Sequence, residues 1–254
     1  MRVTVLGVGG AFSDLFYHSN YIVELPGGYR LLIDAGTTLR YSLPKAGYTA
    51  DAVNAIALTH FHSDHVGGLE ELAQRCRYIY KCTPSIYVMP DQRELLKSMF
   101  ALHGVIPEFY FTVKEAAAET FMCQTGECGY WLEYYSTVGL HAQVTSNYML
   151  GLRRVSNTGK VTRILFTGDI GNLQASPLAH IVAQPETIAI FHDCNTNPVP
   201  SESHPGLNQM ADFYVKEYRS KIYLTHYGDN IVECRGNIRD MGFKLAEQGK
   251  TLAW

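Results

Sequence analysis

The chain has no run of about 18 consecutive apolar residues, so no membrane-spanning helix is expected. Its opening, Met1-Arg2-Val3-Thr4-Val5-Leu6-Gly7, lacks the apolar core and cleavage site of an export signal and runs straight into strand-like sequence. A cytoplasmic location is the expectation. A basic stripe is also missing: the formal net charge is −3, and the short pair Arg153-Arg154 reads as part of a solvated hairpin. Long nucleic acid is therefore not an expected partner, because neutralising its backbone supplies most of the affinity. Closely spaced cysteine pairs are absent. The six cysteines are scattered and, without export, are expected as reduced thiols. Cys76, Cys82, Cys123 and Cys128 could together hold a structural zinc, although the Cys76–Cys82 gap exceeds the usual ligand spacing and Cys123–Cys128 is at its upper limit. The opening loop Gly7-Val8-Gly9-Gly10 lacks the third spaced glycine of a dinucleotide fingerprint. A turn beside a functional site is the better reading.

What the chain does have is 46% hydrophobic residues over 254 positions, enough for one domain spanning 1–254. Strand-like runs fall at 2–8, 21–25, 29–33, 53–58, 86–89, 131–137, 142–153, 161–166, 186–191 and 221–225. Helices are expected over 38–46, 66–76, 91–102, 174–183, 205–219 and 236–248. Residues 103–130 read as an irregular, strand-containing excursion near a site mouth. Its aromatics, with Tyr17, His18 and Tyr227, are candidate pocket walls. The fold class is α+β, with surface helices on strand layers.

The densest chemistry lies in Thr59-His60-Phe61-His62-Ser63-Asp64-His65-Val66-Gly67-Gly68. His60, His62, Asp64 and His65 all bind transition metals once neutral or ionised. They follow an apolar strand and precede a helix, the kind of loop on which sites are built. On an extended loop His60 and His62 point the same way and can share one ion. Asp64 and His65 then turn toward a second position, so the spacing suggests two metals. Asp34 closes an earlier strand, where it either caps a helix or hydrogen-bonds this loop.

His-x-His-x-Asp-His is complete here, and the chain resembles the metallo-β-lactamase superfamily. The resemblance implies a four-layer αββα sandwich. It also implies further ligands in His141, Asp169 and His226, each beside an apolar strand. Metal one would take His60, His62, His141 and Asp169. Metal two would take Asp64, His65, Asp169 and His226, with Asp169 bridging. Nitrogen and oxygen donors suit two Zn2+, with Mn2+ or Fe as alternatives. Such a pair makes a hydrolase, because it lowers the pKa of a bound water and so provides hydroxide near neutral pH.

His204, at a helix start, points to one branch of the superfamily. The ribonuclease Z-like and cyclic phosphodiesterase branch carries a histidine at this place, where it contacts the phosphate. Asp193, in Phe191-His192-Asp193-Cys194, stands where that branch has an acidic residue and could hold His204 in one tautomer. His192 reads as a supporting residue. The catalytic set is thus Asp64, His204 and Asp193, acting on a small nucleotide, a cyclic nucleotide or an RNA end. The long arm of the tRNA-processing enzymes is missing between His141 and Asp169, which argues against pre-tRNA. Lactone, thioester or β-lactam hydrolysis on the same metals is the alternative, and a non-catalytic metal-binding regulator is a third. The superfamily often dimerises, so a homodimer is compatible with the resemblance.

Overall fold

The computed structural model describes residues 1–197, 199 and 201–254. Its strands form two seven-stranded sheets. The first runs β14 (Thr251–Ala253), β1 (Arg2–Val5), β2 (Tyr21–Glu24), β3 (Arg30–Ile33), β4 (Ala55–Ala57), β5 (Ser85–Val88) and β6 (Thr112–Glu115). The second runs β13 (Lys244–Leu245), β12 (Ile222–Thr225), β11 (Thr187–Asp193), β10 (Val161–Phe166), β9 (Tyr148–Ser156), β8 (Cys128–Ser136) and β7 (Glu119–Thr125). Both are mixed. β3 to β6 are parallel neighbours, as are β10 to β13, and the remaining pairs are antiparallel.

Strand alternation sorts the first sheet into two cores, since successive side chains take opposite faces. Val3, Val5, Tyr21, Val23, Leu31 and Ile33 pack inward against Tyr130, Leu132, Leu150 and Phe166 of the second sheet. Ile22, Leu32, Ile56, Ile86 and Val88 face outward, onto α1 (Leu39–Lys45), α3 (Leu69–Gln74) and α4 (Pro90–Ala101). Fully burying a side chain such as Leu32 contributes about 2 kcal/mol. Helices α5 (Leu178–Ala183), α6 (Leu207–Phe213) and α8 (Ile231–Asp240) bury Leu178, Ile181, Met210, Ile231 and Ile238 against the second sheet. This is the αββα sandwich. No helix among the described residues is long and apolar enough to cross a membrane.

Several expected elements are corrected. The helix expected over 205–219 is two pieces, α6 and α7 (Lys216–Arg219), because Tyr214 and Val215 are extended. The Arg219 guanidinium donates to the carbonyls of Ala211 and Tyr214, satisfying groups that the break would otherwise orphan, and to that of Met241 at the end of α8. The last helix ends at Asp240, not 248, since Gly242 takes φ +88 and stops it. The chain then adds β13 and β14, which were not expected. Strand β9 starts at Tyr148 rather than 142, since Ala142 has φ 41 and the stretch before β9 is a loop. Residues 103–130 are not an irregular site mouth. They supply β6 and β7, the edge strands of the two sheets, and Tyr110 and Phe111 are buried against Phe100. Arg153 and Arg154 do belong to a hairpin, in the β9 arm paired with β10, but they are half-buried there and not fully solvated. The four-thiolate site does not form. Cys76 belongs to the outer core while Cys123 and Cys128 pack in the inner one.

Candidate metal centre

The parallel strands of both sheets deliver their carboxyl ends to one rim, the usual place for a site in such sheets. Asp34 follows β3, the His60–His65 loop follows β4, Asp169 follows β10, Asp193 ends β11 and His226 follows β12. Tight backbone turns aim these residues. Asp34 and His226 both hold φ 59, a left-handed conformation that costs most residues energy. Gly168 has φ +57, and a Cβ there would sit 2.7 Å from the Thr59 side chain. Only glycine lets the Asp169 loop lie against the His60 loop.

All seven expected ligands converge. The donor atoms of His60, His62, His141 and Asp169 lie within 4.8 Å of one another, as do those of Asp64, His65, Asp169 and His226. Asp169 faces both groups. Its Oδ2 is 3.7 Å from His60 Nε2 and 3.5 Å from His141 Nε2, while its Oδ1 is 3.2 Å from His65 Nε2 and 3.4 Å from His226 Nε2. Asp64 Oδ2 completes the second group, 3.2 Å from His226 Nε2 and 3.3 Å from His65 Nε2.

A second layer fixes the rings. His65 Nδ1 donates to Asp34 Oδ2 at 2.8 Å, and Asp34 also accepts from the Thr59 N–H and hydroxyl. Of the two readings of Asp34, the loop partner is the right one. His141 Nδ1 donates to the Ser203 carbonyl at 2.9 Å. A carbonyl only accepts, so the free lone pair of His141 is on Nε2, facing the cluster. Asn147 donates to the Asp169 carbonyl at 2.9 Å. Thr59, Ser203 and Asn147 carry no motif and were not found in the sequence.

The arrangement fits a metal. His60 Nε2, His65 Nε2 and Asp169 Oδ1 are buried and without a hydrogen-bond partner among the described residues. Each such orphan costs about 1–3 kcal/mol unless something takes its lone pair, and a divalent ion takes imidazole and carboxylate pairs of this kind. Burial, with His65 alongside, pulls His60 well below the usual histidine range, toward the neutral form a ligand needs. Burial opposes charge on Asp64, but His65 and His226 outweigh it and hold the carboxyl low.

His204 and Asp193 stand beside this cluster. His204 Nδ1 donates to Asp193 Oδ2 at 2.8 Å. Its ring stacks on His226 with centroids 4.7 Å apart and lies 5.0 Å from His141. Asp193 is fully buried and also accepts from the Ile170 N–H. Burial works against charge on His204, yet Asp193 outweighs it and raises the pKa. His192 points elsewhere: it is buried, bonded to the Asp193 carbonyl and the Tyr214 hydroxyl, and burial lowers it to about 4. A cavity of about 650 Å³ opens beside His204 and His226, with Phe12, Asn197, Asp229 and Asn230 in its walls. Of the expected pocket aromatics Tyr227 reaches it, with its hydroxyl turned away to the Ala246 carbonyl, while Tyr110 and Phe111 do not.

Fold and site define a class: a metal-dependent, phosphodiesterase-like hydrolase of the metallo-β-lactamase fold. The profile of one family, described as anti-Pycsar protein Apyc1, matches residues 1–252. The chain belongs to that family. An anti-Pycsar protein Apyc1 from Bacillus phage 010DV004 is 29% identical over 269 residues, covering 99% of this chain and 97% of the relative. The metallo-β-lactamase fold protein YhfI from Bacillus subtilis superposes with TM-score 0.74 at 18% identity, covering 99% and 98% of the two chains. Human tRNase Z, short form, gives 0.69 at 17% identity, covering 100% of this chain and 99% of that one.

Proposed function

We propose that this protein hydrolyses the phosphodiester of a small cyclic nucleotide with two divalent ions. His60, His62, His141 and Asp169 would hold one, and Asp64, His65, Asp169 and His226 the other. Nitrogen and oxygen donors without thiolate favour Zn2+, then Mn2+ or Fe. Such ions supply Lewis acidity and an acidified water.

The observation that carries the reading is the His204–Asp193 pair at 2.8 Å. Acyl hydrolysis on such a centre needs no further imidazole. Expelling a sugar oxygen from phosphorus benefits from a proton donor, and a positioned acid contributes about 10²–10⁴-fold. Asp193 occupies Nδ1 of His204 and leaves Nε2 for the substrate, where it would bind a phosphoryl oxygen and protonate the leaving oxygen. Asp64 would orient the attacking water. The cavity beside the pair, about 650 Å³, falls in the usual size range for small-molecule sites. The turn between β9 and β10, 157–160, is short and offers nothing with which to grip a tRNA body.

The test is hydrolysis of 3′,5′-cyclic nucleotides and bis(p-nitrophenyl) phosphate by zinc- or manganese-loaded protein, beside a thioester and a lactone panel. His204→Ala should lower phosphodiester turnover about 10²–10⁴-fold with metal content unchanged. Turnover of acyl substrates alone would replace this reading with carboxyl-ester hydrolysis and reduce His204, which lies two residues before the N-cap Gly206 of α6, to a structural partner of Asp193.

A further inference from the structure

Phe12 is 98% exposed. A single exposed aromatic is ordinary on a mobile loop. This one sits on a turn that is tied down on both sides. Gly9 bridges to His18 and Tyr227, and the Gly10 N–H donates to the Tyr227 carbonyl. Ser13 N–H closes the turn on the Gly10 carbonyl at 3.2 Å. Beyond it, one carboxylate, Asp229, accepts from the Ser13 hydroxyl and from the N–H groups of Asp14 and Leu15. Ser13 Oγ accepts from the Phe16 N–H at 3.0 Å, and the Phe16 ring packs edge-on to Tyr227 at 5.4 Å. The turn is therefore rigid, and Phe12 is held at the wall of the cavity that His204 and His226 also line.

The chemistry of that cavity narrows what Phe12 meets. No lysine or arginine lines it among the described residues, and its one carboxylate, Asp229, is engaged by the turn. Beyond His204, which the reading above gives to the reacting phosphate, a second phosphate would find no cationic side chain free of the metal cluster among the described lining residues. A neutral planar group would find an aromatic ring carried on a backbone that is already held in place.

We propose that Phe12 is the platform on which the nucleobase of the substrate stacks, with Asp229 as the residue that positions it. This rests on the phosphodiesterase reading above and adds a base subsite to it. Stacking of a base on an aromatic is worth about 1–3 kcal/mol by alanine substitution, or about 5- to 150-fold in affinity. The contact is remote from phosphorus and equal in ground and transition states, so it should act on KM and leave kcat nearly constant.

The experiment compares a 3′,5′-cyclic nucleotide with the 3′,5′-cyclic phosphate of 1-deoxyribose, which has the same ring and no base, on metal-loaded full-length protein. Phe12→Ala should raise KM about 5- to 150-fold for the nucleotide alone, and Phe12→Trp should restore it. The Phe12→Trp variant gives a readout without turnover. Its fluorescence in metal-free protein should quench with the nucleotide and not with the abasic phosphate. Equal losses on both substrates, or none on the nucleotide, would overturn the platform while leaving the phosphodiesterase reading intact. Wild-type protein that cleaves neither would overturn both.

Discussion

Asp34→Asn isolates the support of one ligand. Asp34 Oδ2 accepts from His65 Nδ1 at 2.8 Å, and that bond leaves the His65 Nε2 lone pair for the cluster. Asparagine keeps the shape and tolerates φ 59, so the backbone has no reason to move. Its oxygen can still accept from the Thr59 N–H, as Asp34 Oδ1 does at 2.8 Å. Its NH2 group cannot accept from His65, so Nδ1 must lose its proton or its partner. A charge-assisted hydrogen bond of this kind is worth about 1.5–3 kcal/mol. Changes in the partners of metal-ligating histidines typically cost 10–100-fold in metal affinity, about 1.4–2.8 kcal/mol, so the two magnitudes agree. The assay is competition for zinc against a chromophoric chelator, with near-UV circular dichroism and urea unfolding of the metal-free protein alongside. Zinc affinity should fall 10–100-fold, while the metal-free protein, which loses the same bond, stays folded and is destabilised by no more than about 3 kcal/mol. Unchanged affinity would refute the role assigned to Asp34. A loss of affinity that merely follows a loss of fold would refute it equally.

Two stability predictions follow from buried polar groups. His192 is buried with its pKa lowered to about 4, so between there and its unfolded value near 6.5 the unfolded chain binds a proton that the folded one refuses. Wild-type metal-free protein should therefore lose about 2 kcal/mol more than His192→Gln between pH 7.5 and pH 5 in urea titrations. Equal losses would show that His192 is not held neutral. Glu133 is buried, accepts from Arg163 Nε at 2.6 Å and from the Tyr135 hydroxyl at 2.9 Å, and forms an ion pair with Arg153, whose Nε lies 2.8 Å away, tying β8, β9 and β10 together. Glu133→Gln should cost about 3 kcal/mol by leaving buried Arg163 with only Glu186, 3.5 Å from its Nη1, as counter-charge, read as a lower urea midpoint; a shift under about 1 kcal/mol would show that Glu186 or water suffices.

Legibility in the sequence followed the range of the interactions. His60, His62, Asp64 and His65 sit within one loop, so their pattern is local and readable. His141, Asp169 and His226 became candidates only through the resemblance, since a single histidine after an apolar run has many structural meanings. Asp193 and His204 lie close enough in the chain for a pairing to be suggested, and the fold places them at hydrogen-bond distance. What escaped depends on contacts that cross between distant segments. Thr59 and Ser203 act partly through groups that carry no side-chain signature, the Thr59 N–H and the Ser203 carbonyl. The break at Tyr214 arises because its side chain is drawn under the second sheet to His192. β13 and β14 are two and three residues long, too short for a period to show, and exist because β12 and β1 offer them an edge.

The ligands are divided between the two sheets. His60, His62, Asp64 and His65 follow a strand of the first, while His141, Asp169 and His226 flank strands of the second. An ion held between them would be a cross-link at the rim of the sandwich, one whose strength is set by the free metal concentration rather than by a covalent bond. At a hundred times its Kd a single such ion adds about 2.7 kcal/mol to the stability of the closed arrangement, and nothing to the unfolded chain. With the ions proposed above in place, the supply of metal would govern the lifetime of the protein as well as its activity, because the same side chains would close the sandwich and build the site.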